Sequence, residues 1–105
     1  MCESVFINVV TKNCTITFGC LYRHPNGNLS HFNTSLSHCL QNFDKKNMFI
    51  FGGDINIDLL KNEQTQTQNY LDTFLSFNLT SAITIPTRFT DRSVTLIDHI
   101  FIRLP

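Results

Sequence analysis

With 105 residues, 42% of them apolar and 15% charged, the chain has the size and composition of one small globular domain and not of a disordered segment. Eight basic and eight acidic side chains cancel to a formal charge of zero, so no global field draws it to nucleic acid or to a membrane. Any recognition of phosphate has to come from a local site.

The opening MCESVFINVV carries an acid where a secretory leader carries base, and no apolar run is long enough for a bilayer. These features predict an intracellular protein, nuclear or cytoplasmic, with no membrane partner and no secretion. Residues 5–10, VFINVV, are β-branched and aromatic, and CTITFGCL, residues 14–21, alternates with Cys14, Ile16, Phe18 and Cys20 on one face. A turn at Lys12-Asn13 joins the two as a hairpin. The four cysteines lack CxxC spacing and are expected to stay reduced. YRHPNGN then marks an exposed turn. From Asn28 to Lys46 the residues Leu29, Phe32, Leu36, Cys39, Leu40 and Phe43 recur at helical spacing, and Asn28 or Ser30 can cap the helix. The continuously apolar MFIFGG, residues 48–53, predicts a central strand covered on both faces. A Gln/Thr-rich stretch follows, and Tyr70, Leu71, Phe74 and Leu75 form a second helical stripe with Asn78 at a left-handed C-cap. A short strand at 82–85, a Pro-Thr-Arg turn and a last strand over 93–102 complete an order β-β-α-β-α-β-β. The fold class is α/β (α+β), with residues 1–105 as one domain.

FGGDINID carries the first candidate chemistry. If the strand stays extended, Asp54 and Asn56 project to the same side, pairing a carboxylate that accepts protons or metal with an amide that donates to phosphate. The same residue types equally compose a turn. In the last strand, alternation sets Asp98 with Leu96, Ile100 and Ile102, and His99 with Ile97 and Phe101, so the adjacent pair cannot form an acid–base dyad. His99 is expected as a hydrogen-bonded histidine packed beneath a neighbouring layer. His31 and His38 fit a solvated helix side, with no third ligand to make a zinc site. Tyr22 and Arg23, at a strand end, set a phenol beside a guanidinium, a combination suited to a phosphodiester.

Taken in order, LYRHPNG, MFIFGGDINIDLL, TIPTRFT and SVTLIDHIF resemble the endonuclease/exonuclease/phosphatase superfamily, and most of all the endonucleases of LINE-type, Jockey-like non-LTR retrotransposons. The resemblance runs from about Cys14 onward. It implies a partial four-layered α/β sandwich and a Mg²⁺- or Mn²⁺-dependent site that hydrolyses a DNA phosphodiester, in a parent protein fused to a reverse transcriptase. By resemblance, Tyr22 stands near the scissile phosphate, Asp54 activates water, Asn56 binds phosphate, and Thr87 lies near the DNA. Arg23 and Arg88 are phosphate contacts on chemical grounds. Asp98 matches the aspartate that orients a catalytic histidine, which the family takes from a later Ser-Asp-His motif. No Ser-Asp-His occurs in the 105 residues, and no residue is assigned to the family's metal-binding glutamate. The expectation is therefore a nuclease fragment, inactive alone. The alternatives are a non-catalytic remnant that binds nucleic acid or protein, and a phosphoesterase of the same superfamily with another substrate.

Overall fold

The computed structural model describes residues 2–43, 47–61 and 63–104, with nothing said of the Cys2 side chain. Alternation in the first two segments builds a hairpin, β1 (Cys2–Val10) antiparallel to β2 (Thr15–Arg23), closed by the Thr11 N–H on the Cys14 carbonyl at 2.9 Å. Helix α1 (Leu29–Gln41) then carries the chain back so that β3 (Met48–Asp54) lies parallel to β2. The Asn28 side chain caps α1 by accepting the His31 N–H at 3.0 Å. Asn42 is the C-cap, so the helix ends before the expected Lys46, which lies outside the described residues.

Helix α2 (Thr65–Ser76) begins within the Gln/Thr-rich stretch, one turn earlier than the apolar stripe indicates, and buries Thr67 with Tyr70 and Phe74. Asn78 has φ 62°, and the Leu79 N–H returns to the Phe74 carbonyl, which is the expected left-handed exit. The strand expected at 82–85 does not form. A two-residue strand, β4 (Thr80–Ser81), pairs there instead, and residues 82–85 form no strand.

The expected 93–102 strand is broken. Arg88–Phe89 (β5) and Val94–Thr95 (β6) make a small ribbon, and β7 (Asp98–Arg103) begins after a two-residue interruption. Asp58 explains the break: its Oδ1 accepts the Leu96 N–H at 3.0 Å and the Leu60 N–H at 3.1 Å. This pins Leu96 inward, so Leu96 is buried while Asp98 is exposed, and the two do not share a face.

The main sheet has the order β1-β2-β3-β7-β4. One face is packed by both helices over Leu21, Phe49, Phe51, Phe101 and His99. Phe74 stacks on Phe101 at 3.8 Å between ring centroids, nearly parallel. Gly19 makes the aromatic packing possible, because a Cβ there would come within 2.5 Å of the Phe6 ring and 3.1 Å of the Phe51 ring. The opposite face carries no layer among the described residues. Met48 and Ile50 of the central strand lie on it only partly buried, contrary to the expectation of cover on both sides. Continuous apolarity here reflects an apolar outer face rather than an occupied one. No helix among the described residues is long and apolar enough to cross a membrane.

Candidate functional site

Strand register assembles the polar residues at one end of the open face. Tyr22 of β2 is the partner of Asp54 in β3, and Asp54 is the partner of Asp98 in β7. Register partners present their side chains to the same face, with Cα atoms about 5 Å apart. Tyr22, Asp54 and Asp98 therefore form a row across three adjacent strands. Glu3 of β1 is the register partner of Tyr22 and extends the row to a fourth strand. Glu3 lacks the sequence context of the family's metal-binding glutamate and is unassigned from sequence; the hairpin register brings it into line.

Tyr22 is 41% exposed and presents its phenol to solvent. Asp54 is half-buried, and its Oδ1 is enclosed with no hydrogen-bond partner. A shallow depression of about 400 Å³ opens beside it, lined by Glu3, Cys20, Tyr22, Gly53 and Asp54 among others. Gly53 is required at this point, since a Cβ would collide with the Leu21 carbonyl of the neighbouring strand.

Asn56 does not follow Asp54 in extended backbone. The Ile55 N–H continues the pairing to the Ile97 carbonyl, and Asn56 then turns with φ 57°. Its side chain reaches back to β2, where Nδ2 donates to the Arg23 carbonyl at 2.7 Å. Asn56 is thus brought to the Arg23 end of β2 by a turn and not by strand alternation. Arg23, expected as a phosphate contact, is directed inward and only 3% exposed. Its guanidinium donates to the carbonyls of Gly27 at 2.7 Å, Asn56 at 3.2 Å and Ile55 at 3.3 Å, and lies over the Phe32 ring. Burial lowers its pKa. The two residues form a reciprocal latch that ties the end of β2 to the turn after β3.

Thr87 is also structural in its contacts. Its Oγ1 accepts the Ile97 and Asp98 N–H groups, each at 3.2 Å, which fixes the entry of β7 and hence Asp98. Arg88 lies on the exposed ribbon, apart from the row in sequence and in sheet.

His99 is 1% exposed on the helix side, opposite Asp98. Its Nε2 faces the carbonyls of Ile57 at 3.0 Å and Leu96 at 3.1 Å, so that nitrogen carries the proton. Nδ1 then accepts the Tyr70 hydroxyl at 2.7 Å. Desolvation lowers the His99 pKa, against smaller raising contributions from the two carbonyls and from Asp98 and Asp54. Both ring nitrogens are engaged, and His99 is a packing residue, as its place on the strand implies.

The donors in the row are hard oxygens of the type Mg²⁺ takes. Among the described residues, however, no three His, Cys, Asp or Glu side chains converge closely enough to hold a metal ion. Asp54 offers one enclosed carboxylate oxygen, and this is not a metal cage by itself.

No family model matches the chain, and no curated protein matches it in sequence. Solved structures do match. The endonuclease domain of TRAS1, a telomere-specific non-LTR retrotransposon, superposes with a TM-score of 0.76 at 21% identity over 93% of this chain and 47% of that one. An endonuclease/exonuclease/phosphatase family protein from Leptotrichia buccalis gives 0.58 at 20% identity over 94% of this chain and 41% of the other. Beta toxin 275-280 from Staphylococcus aureus gives 0.57 at 11% identity, covering 94% and 42%. The fold is that of the endonuclease/exonuclease/phosphatase proteins, and its LINE-type endonuclease form is the one the sequence motifs resemble. The chain spans less than half the length of the structures it matches.

Proposed function

We propose that this chain carries the Tyr22-Asp54-Asp98 part of a metal-dependent DNA endonuclease of the retrotransposon target-nicking kind, and that the 105 residues alone do not turn over. The row of register partners at one sheet end carries the reading. It sets a phenol and two carboxylates on one face, with an unpartnered Asp54 oxygen beside an open depression.

In this reading Asp54 accepts the proton of an attacking water, and Tyr22 lies against the phosphodiester. Asn56 keeps one amide N–H for a phosphate oxygen, the other being held by the Arg23 carbonyl. Arg23 keeps the Asn56 turn in place, Thr87 sets Asp98, and Arg88 on the ribbon meets the DNA backbone. Mg²⁺ or Mn²⁺ would supply charge stabilisation at the reacting phosphate when bound, and none of the described residues is assigned as its ligand. The neighbouring His99 is buried on the other face and does not meet Asp98. Loss of one central acid–base group lowers rate by about 10² to 10⁴, so the isolated chain is expected to be silent.

The test is nicking of supercoiled plasmid with Mg²⁺, together with a gel-shift at low salt. The expected results are no nicking above the Asp54→Ala background and weak, salt-sensitive DNA binding that Tyr22→Ala reduces. Asp54-dependent nicking would overturn the inactivity. Absence of any DNA binding at low salt would move the reading to a phosphoesterase with another substrate.

A further inference from the structure

His99 packs beneath the helices, but its polar atoms join separate pieces of the chain. Nδ1 accepts the hydroxyl of Tyr70 from α2 at 2.7 Å, and the Nε2–H faces the carbonyls of Ile57 at 3.0 Å and Leu96 at 3.1 Å. Ile57 lies on the segment by which the chain leaves Asp54, and Leu96 on the segment by which it reaches Asp98. These segments run side by side, the Ile55 N–H donating to the Ile97 carbonyl and the Leu59 N–H to the Leu96 carbonyl, each at 3.0 Å. The Leu96 carbonyl therefore has a second donor. The buried Ile57 carbonyl has only the imidazole among the described residues. Arg23 takes the carbonyls of Ile55 and Asn56, so the successive carbonyls after Asp54 end on two buried side chains from other strands and not on a strand ladder.

This end of the sheet needs such a hold. Asp54 and Asp98 are register partners on the last rung between β3 and β7, and like charges directly opposite each other push strands apart. A ladder also frays from its end. With the Tyr22-Asp54-Asp98 row read as the site, we propose that His99 is its positioning residue: the Nε2–H ties the segment leaving Asp54 to the segment entering Asp98, and so fixes the spacing of the two carboxylates and the course of the Asn56 turn from the opposite side of the sheet. His99 touches neither carboxylate and acts through backbone alone. Only its Nε2 side has this task, and the Tyr70 side serves stability.

Variants that separate the two sides supply the test. His99→Phe keeps a ring and removes both nitrogens, His99→Gln returns an amide N–H toward the place of Nε2, and Tyr70→Phe removes the other hydrogen bond while the bridge stays. Amide hydrogen exchange is read at Ile55 and Leu59, which report the paired segments, relative to Phe51 in the middle of β3, so that a uniform loss of stability cancels. In His99→Phe this ratio should rise by about tenfold or more, in His99→Gln it should return to within about threefold of the unmodified chain, and in Tyr70→Phe it should not change. Imidazole ¹⁵N shifts of the unmodified chain need no variant to fold, and should show the proton on Nε2 and a lone pair on Nδ1. In a gel-shift at a temperature where every variant is folded, His99→Phe should weaken DNA binding by about fivefold or more and Tyr70→Phe by less than about twofold. A ratio unchanged in His99→Phe, a ratio raised as far by Tyr70→Phe, no recovery in His99→Gln, DNA binding that His99→Phe leaves untouched, or a ring protonated on Nδ1 would each overturn the proposal. A chain that binds no DNA at all would defeat the proposed function instead, and the exchange ratios and ring shifts would still decide the task of His99.

Discussion

Replacing Tyr70 by Phe removes one oxygen and leaves every ring contact in place. Tyr70 is fully buried, packed edge-on against Phe74 at 5.2 Å and Phe101 at 5.8 Å, and these contacts survive the change. What is lost is the 2.7 Å hydrogen bond to His99 Nδ1. His99 cannot compensate by moving its proton to Nδ1, because Nε2 would then turn a lone pair toward the carbonyls of Ile57 and Leu96. An acceptor is left unsatisfied inside the core, at a cost of about 1–3 kcal/mol. For a domain near 100 residues, each kcal/mol lowers the melting midpoint by roughly 4–8 °C, so the expected fall is about 4 to 24 °C. Thermal melts followed by circular dichroism measure it, with Tyr22→Phe as the control. Tyr22 is 41% exposed, and a surface change of this kind stays within about 0.5 kcal/mol. A Tyr70→Phe midpoint no lower than that of Tyr22→Phe would refute the buried acceptor argument.

Other outcomes follow from the same contacts. His99 has a folded pKa below its usual 6.5, so the unfolded chain takes up a proton first as the pH falls. Its contribution to stability is therefore whole above pH 6.5, declines below it, and is fully lost once the pH passes the folded value. Urea midpoints between about pH 7.5 and 5.5 should fall, and unfolding there should take up protons. Gly53→Ala forces a Cβ into the Leu21 carbonyl and should lower stability by about 1–3 kcal/mol in denaturant titration, with the strand end beside Asp54 displaced. Asp58→Ala strips the acceptor from the Leu60 and Leu96 amides, costing about 1–3 kcal/mol, and hydrogen exchange at the Leu96 amide should rise by at least tenfold or so.

Local chemistry in the chain was sufficient for much of this. The hairpin, the Asn28 cap, the two helical stripes and the left-handed Asn78 all depend on neighbours within a few residues, and each formed as the pattern implied. The placement of His99 was legible for the same reason, because alternation from Asp98 to Arg103 is local. Where the reading failed, a distant group had intervened. Asp58 captures the Leu96 amide and interrupts the last strand, and the Arg23 latch holds Asn56 out of the extended course expected after Asp54. Both contacts join residues more than thirty positions apart, and composition gives no hint of either. The direction of Arg23 was hidden likewise, since a guanidinium at a strand end reads the same whether it meets phosphate or three carbonyls.

The sequence by itself determined which polar residue types were present and which local elements would carry them. Only the tertiary structure decided that Glu3, Tyr22, Asp54 and Asp98 stand in one row, because strand register depends on how four separated segments pair. It also decided that the other face of those strands takes both helices while this one stays open, since a strand that is apolar on both sides does not say which side its neighbours will cover.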